Sequence, residues 1–467
     1  MAIQSQRTRL VTLVLVGSAF LSGIDLFIVN VAFDDIGRDF AQRGEAPSLS
    51  QLSWVLNAYA VVFAALLVPM GRLTDRYGRK AGFVAGLVLF TVASAACGFS
   101  TDVWQLVGFR GLQAVGAAAM TPASLGLLLA ALPVERKAPA ARLWALTGAL
   151  AAALGPAVGG GLVQLSWHWA FWINLPIGVL LVVGAVRFVP DVRHNAGAPR
   201  PDLAGAALVA LAVGALVLGL VQGGEWGWSS AGVVGSFVVA VVAVGAFAWL
   251  TTHHASPVID PSLLRVRAFS WASVTTLVFN AGFGAGLLGG ILWMQQVWGY
   301  SALKTGLAVA LGPLLVPVTS ILVHRVLPRV RPGTLSVAGC LVAAGGAAVM
   351  ATSLTTTPSY WTTVVPGWAL TGIAVGLAMP NLVASATSAL PPEQASTGGG
   401  VVTMARQVGL VLGVSVLVAI VGSGVPSIES FRAAWWVVAA ASLLAAATAT
   451  AIESRPVRVA DPAPATA

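Results

Sequence analysis

Apolar stretches of about 20 residues, each long enough to cross a bilayer as a helix, recur fourteen times along this chain of 467 residues. They cover approximately residues 10–33, 50–70, 81–100, 103–131, 141–163, 169–188, 203–222, 231–250, 270–293, 304–324, 334–352, 361–384, 400–422 and 432–452. Hydrocarbon offers no hydrogen bonds, so a spanning segment must satisfy its own backbone, and runs this long and unalternating exclude a barrel and require helices. The expected class is an all-α integral membrane protein. Only 9% of residues are charged and 57% are hydrophobic, against roughly 25% and 45–50% in soluble domains. The 52 glycines suit close helix packing in lipid. Cys97 and Cys340 lie in separate apolar runs and suggest neither a disulfide framework nor a thiolate metal site. Arg7 and Arg9 precede the first run as in a signal peptide, but the run outlasts a signal core and lacks a small-residue cleavage site, so it reads as a retained helix.

The net charge of +9 raises the possibility of nucleic acid, and its distribution argues against it. With the N-terminus inside, 19 of the 25 Lys and Arg fall on cytoplasmic segments. Arg38, Arg43 and Lys304 lie outside, Arg110 and Arg406 within spans, and Arg432 at a boundary. An even number of spans then places both termini in the cytoplasm of a multi-pass inner (plasma) membrane protein whose basic loops face lipid headgroups. Trp104, Trp167, Trp169, Trp226, Trp228, Trp298 and Trp361 fall near the outer loops, where indoles prefer to sit.

Within the first run stands Asp25, the one acid of sixteen placed at mid-membrane. An aspartate there costs roughly 2.5–3.5 kcal/mol, and lipid favours its neutral form, which makes it a candidate proton carrier. Ser18 and Ser22 precede it by seven and three residues on one helical stripe, as the wall of a polar cavity would require. Arg110 is a permanent cation in the fourth span and the natural partner of Asp25. Proximity would favour the carboxylate and separation the acid, which is a proton switch; a static structural pair is the alternative. Arg406, near the cytoplasmic end of the thirteenth span, reads as snorkelling towards headgroups.

The basic loop Gly71–Lys80 and the stretch His324–Pro332 are related by an offset of about 250 residues. The offset aligns spans nine to fourteen with one to six and sets Asn280 near the equivalent of Asp25. The expected organisation is a six-helix half (1–190), an inserted pair (191–260), a second half (261–452) and a disordered tail (453–467), with a site between the halves. Phe27, Trp54, Tyr59, Gln113 and Gln295 join Ser22 and Asn280 as candidates for its cavity, because aromatics stack on flat ligands and amides orient them. Core packing explains any one of them equally well.

The loop after span two reads Gly71-Arg72-Leu73-Thr74-Asp75-Arg76-Tyr77-Gly78-Arg79-Lys80, and Gly71 and Gly78 would permit a tight reversal there. The whole pattern resembles the signature loop of the major facilitator superfamily. The resemblance narrows to its fourteen-helix drug/proton antiporters through Ile24–Ala32, Trp54–Tyr59, Arg110-Gly111-Leu112-Gln113, Gly155-Pro156-Ala157-Val158-Gly159-Gly160, Trp169–Gly178, Gln295 with Gly299-Tyr300-Ser301, and Arg406-Gln407-Val408-Gly409. It implies a major facilitator fold and a proton-coupled antiporter that exports amphiphilic drugs or antibiotics by alternating access. The proton gradient would supply the energy without a cofactor, one chain would suffice, and Asp25 with Arg110 would couple the proton. It also implies that Gly155, Pro156, Gly159 and Gly160 seal a close interface between the halves, where Ala151 replaces the glycine that usually opens the motif.

One membrane acid suggests neutral or monocationic cargo. Asp75, with Arg76 and Arg79 beside it, is expected to latch the N-terminus of span thirteen, taken to begin just after Gly398-Gly399-Gly400, in the outward-facing state. Dedicated export of a metabolite made by the same cell is a second reading. A channel would need rings of like charge or a filter loop. An enzyme would need a reactive constellation, and the sequence offers no nucleotide loop, metal-ligand cluster or acid pair near a nucleophile.

Overall fold

The computed structural model describes residues 2–44, 46–132, 134–191, 200–422 and 427–452; the tail at 453–467 lies outside the described residues. Fourteen of its helices are long and apolar enough to cross a membrane. They are α1 (Ala2–Gln42), α2 (Leu49–Tyr77), α3 (Arg79–Gly98), α4 (Val103–Ala131), α5 (Val134–Val163), α6 (Asn174–Phe188, after a turn at Trp169–Trp172), α7 (Leu203–Trp226) and α8 (Ala231–His253). The remainder are α9 (Arg267–Leu292, continued as a π turn over Trp293–Val297), α10 (Ala302–Val326), α11 (Pro332–Ser353), α12 (Val365–Ser388, after a π turn at Tyr360–Val364), α13 (Pro392–Val421) and α14 (Ile428–Thr450).

Packing repeats across the chain. In the first half α1 lies on α5, α2 and α3 on α4, and α3 on α6; in the second, α9 lies on α13, α10 and α11 on α12, and α11 on α14. The halves meet where α5 packs on α10 and α2 on α13, two junctions related by the same correspondence. The inserted α7 and α8 pair with each other, and α7 leans on both α2 and α13.

Glycine decides how closely these elements approach. A Cβ on Gly306 would collide with the Pro156 carbonyl, and one on Gly160 with the backbone of Ala302 and Leu303, so the α5–α10 junction is backbone against backbone. Gly155 and Gly159 instead press α5 onto Phe27, Ile28 and Val31 of α1, within the first half. Gly148, two turns before Gly155 on α5, has nothing within 4 Å. The methyl of Ala151 is housed against Gly23.

The reversal expected over Gly71–Lys80 is confined to Gly78. α2 continues as helix through Gly71, which packs on Pro122, and only Gly78 adopts a positive φ, 125°, that favours glycine. The helix persists because its polar end is held: Arg72 donates to the Ser256 carbonyl and hydroxyl, both at 2.8 Å, and to the Pro257 carbonyl at 2.7 Å. Asp202 caps α7 through the Gly205 amide and accepts from the Val258 amide, fastening the same linker. Likewise α13 begins at Pro392 and runs through Gly398–Gly400, with Gly398 against Leu390 and Phe269 and Gly400 against Val68.

A buried carboxylate–guanidinium site in the first half

Asp25 lies at the centre of a polar circuit inside the first half. Arg110 Nη1 donates to its Oδ2 at 2.6 Å, while Gln113 Nε2 and Asn174 Nδ2 donate to Oδ1 at 2.9 and 2.8 Å. Arg110 Nη1 also meets Gln113 Oε1 at 2.6 Å, and its Nε donates to the Val55 carbonyl at 3.2 Å. The amide of Asn174 reaches the Ser94 hydroxyl, which donates to the Phe171 carbonyl. Asp25, Arg110, Gln113, Asn174 and Ser94 are all fully buried. The guanidinium lies 4.2 Å from the ring centroid of Tyr59, so an aromatic face covers what the hydrogen bonds leave open.

Five helices build this circuit. Asp25 comes from α1, Arg110 and Gln113 from successive turns of α4, Asn174 from the first position of α6, Ser94 from α3, and the Val55 carbonyl and Tyr59 from α2. A buried ion pair offsets its desolvation only if its remaining lone pairs and protons are satisfied, and here most are. The exceptions are Arg110 Nη2 and Asn174 Oδ1, which have no partner.

The sequence expectation that Asp25 and Arg110 pair is met in this geometry, and the expected cavity wall is not. Ser18 and Ser22 turn their hydroxyls back to the Leu15 and Ala19 carbonyls of α1, because a serine within a helix in apolar surroundings satisfies itself locally. Tyr59 and Gln113, expected as cavity residues, belong to the Asp25 circuit instead. Asn174 and Ser94 were not singled out from the sequence; the signal available was an amide at the start of a strongly apolar helix.

The other candidates lie apart. Phe27 is packed against Gly155, and Trp54 is partly exposed with its Nε1 unbonded. Gln295, in the π turn after α9, donates to the Val31 carbonyl of α1 at 3.0 Å and ties the two halves together. Asn280 donates to the Thr276 carbonyl and touches Met379 Sδ at 3.5 Å, inside the second half. Its carboxylate-free setting makes the two halves chemically unequal at equivalent positions.

Asp75 is bound to Arg79 Nε at 2.5 Å, with Arg79 resting against Gly126 of α4. Arg76 lies over the Tyr77 ring at 5.6 Å. Since α13 starts eight residues before Gly400, the helix end posited for the latch is not at the glycines. Between α5 and α6 Trp167 donates to Asp39 at 2.9 Å and stacks on His168, whose imidazole burial pushes below its ordinary value while Asp39 opposes the shift.

Arg406 also departs from expectation. It stands at the middle of α13 rather than near its cytoplasmic end, because the helix begins at Pro392. Among the described residues it makes no hydrogen bond and no ion pair.

The sequence model of the Major Facilitator Superfamily matches this chain twice, at residues 15–206 and 203–414. The multidrug resistance protein Stp of Mycobacterium tuberculosis is 33% identical over 88% of this chain and 75% of its own length. A methylenomycin A resistance protein of Streptomyces coelicolor is 31% identical over 85% of this chain and 82% of its own. A probable actinorhodin transporter from the same species is 33% identical over 86% and 71%. Among solved structures, a bacterial homologue of the lysosomal transporter Spinster, inward-facing and unoccupied, superposes with a TM-score of 0.66 at 15% identity, covering 96% of this chain and 97% of that one. An auto-inhibited peptide transporter of the POT family gives 0.69 at 17%, covering 98% and 99%; these two likenesses establish the fold. The chain therefore belongs to the major facilitator superfamily, among its multidrug-type efflux transporters, and is not an enzyme.

Proposed function

We propose that this transporter exports amphiphilic small molecules in exchange for protons, with Asp25 as the proton carrier. The observation that carries the reading is the closed circuit around that acid. Both carboxylate oxygens are engaged, Oδ2 by Arg110 and Oδ1 by Gln113 and Asn174, so the acid sits opposite a cation in this arrangement. A shift of α1 or α4 that draws Arg110 away would strand a charge in a water-poor interior, where a proton is the simplest neutraliser. The unpartnered Arg110 Nη2 and Asn174 Oδ1 give such a rearrangement new bonds to make. One inward proton charge brings about 2.3 kcal/mol per 100 mV, so neither nucleotide nor cofactor is needed as an energy source.

In this reading the chain works as a monomer in the inner membrane with both termini cytoplasmic, and its halves rock about the α5–α10 and α2–α13 junctions. Because Asp25 is fully buried behind Arg110, Gln113 and Asn174, the geometry favours neutral over monocationic cargo on this side. Relatives whose names specify single antibiotics keep a dedicated exporter as the second reading. The test is proton release when lipophilic probes are added to weakly buffered, purified protein. Release from the wild type that vanishes in Asp25→Asn is expected. Equal release from both proteins would move the proton elsewhere and sink the proposal.

A further inference from the structure

The second half holds a cation at bilayer depth that the Asp25 circuit does not use. Arg406 lies nine residues into the apolar part of α13, Thr397–Val421, about 14 Å along the axis and so near the middle of a ~30 Å hydrocarbon core. The described ion pairs join Arg38 to Asp34 and Asp35, Arg43 to Asp39, Arg79 to Asp75 and Arg110 to Asp25, and none reaches it. It is nonetheless partly exposed, on a helix enclosed by α2, α7, α9, α12 and α14 that has no exposed residue between Val401 and Ile420. Its accessible surface therefore lies between helices rather than on an exposed face of α13. Thr403 and Leu410, three before and four after it, are partly exposed in the same way.

A second polar group without a described partner lies next to it. Gln407 is buried, makes no hydrogen bond with a described residue, and leaves its Oε1 unpartnered. At 100° per residue Arg406 and Gln407 flank the direction taken by Thr403 and Leu410. A guanidinium and an amide, neither with a hydrogen-bond partner among the described residues, thus lie side by side on α13 next to Leu410, with the amide oxygen closed off in this arrangement. Such a cation is costly unless an anion meets it, and its planar fork matches a carboxylate bidentately.

We propose that Arg406 and Gln407 form a headgroup site for an anionic amphiphile, whose carboxylate sits on the guanidinium fork and the glutamine amide while its apolar body lies along Leu410. This rests on the export reading and changes its cargo from neutral or cationic molecules to include lipophilic monoanions. Each half would then present one charge: Asp25 for the proton and Arg406 for the cargo.

The test compares three matched probes, pyrenebutanoic acid, its methyl ester and pyrenebutyl-trimethylammonium, binding to the full chain in phosphatidylcholine nanodiscs at pH 8, with empty discs subtracted. Charge-assisted hydrogen bonds predict that the acid binds roughly tenfold or more tighter than the ester, and the ammonium probe more weakly than either. The acid-to-ester ratio of dissociation constants is the readout, so that a general loss of binding does not count. The ratio is expected to approach one in Arg406→Gln, shrink in Gln407→Leu and stay intermediate in Arg406→Lys. Should Arg406→Gln bind neither probe, the lysine variant decides, and a ratio of one there overturns the proposal. So does a wild-type ratio of one, or a ratio unchanged by Arg406→Gln. Loss of the preference in phosphatidylglycerol discs would give the site to a lipid phosphate and also overturn it. These assays run without a gradient and leave Asp25 intact, so failure of proton coupling and failure of this site are separately visible.

Discussion

At the level of single residues the chain concentrates its electrostatics in Asp25 and Arg110. A buried pair of this kind contributes little net stability, yet removal of one member leaves the other charged and unmatched, at about 3–5 kcal/mol. Arg110→Gln should therefore lower the melting temperature of the detergent-purified protein markedly. The double variant Asp25→Asn with Arg110→Gln, an amide facing an amide, should recover most of that loss. Strict additivity of the two single effects would mean that the pair is not energetically coupled. The pairing itself was legible from the sequence because an acid and an arginine isolated in apolar runs have few other partners. The roles of Gln113, Asn174 and Ser94 were not, since a neutral amide carries no charge balance that reveals whom it serves. Arg406 was misread for a related reason. Its depth depends on where α13 starts, and three consecutive glycines suggested a later start than the packing of Gly398 and Gly400 allows.

At the level of elements, the sequence showed where apolar runs lie but not where helices stop. Span two was expected to end at residue 70, and α2 reaches Tyr77 because Arg72 finds carbonyls on the linker before α9, a partner 184 residues away. The small-residue seam on α5 was legible as a pattern, while its division of labour was not. Gly155 and Gly159 serve α1, and Pro156 and Gly160 serve α10. That division makes a prediction. Overpacking a close junction costs about 1–3 kcal/mol, and at Gly306 the obstructing atom is a backbone carbonyl that cannot rotate away. Gly306→Leu should reduce efflux roughly tenfold, whereas Gly148→Leu, with open space around it, should retain most of it. Comparable losses in inverted-vesicle transport assays would show that the α5–α10 crossing is not what matters.

For the whole molecule, the internal offset of the sequence anticipated two halves of like packing, since hydrophobic runs and basic loops are repeated along with the fold they specify. It could not show that the halves differ in chemistry, with Asp25 paired on one side and Arg406 without a partner among the described residues on the other, because that depends on which side chains meet. Exchange between the two sides of the membrane requires the contacts between halves to open at one end while they hold at the other. The α2–α13 junction can report on this at two depths. Asn57 Nδ2 meets Ser415 Oγ at 3.4 Å near the middle, and Gly400 faces Val68 nearer the C-terminal end of α2, the cytoplasmic end in the orientation proposed above, with 3.3 Å from the Cβ a substitution would add to Val68 Cγ2. Both native cysteines lie on α3 and α11 rather than on α2 or α13, so neither belongs to a pair introduced at this junction. Oxidation of a Val68→Cys, Gly400→Cys protein should hold the cytoplasmic ends together and stop transport, with recovery on reduction. A disulfide from Asn57→Cys and Ser415→Cys lies near the pivot and should slow transport less. Unimpaired transport by the oxidised Val68→Cys, Gly400→Cys protein would mean that α2 and α13 travel as one body and that the opening lies elsewhere, which leaves the other junction between the halves, α5 with α10, as the surface that parts.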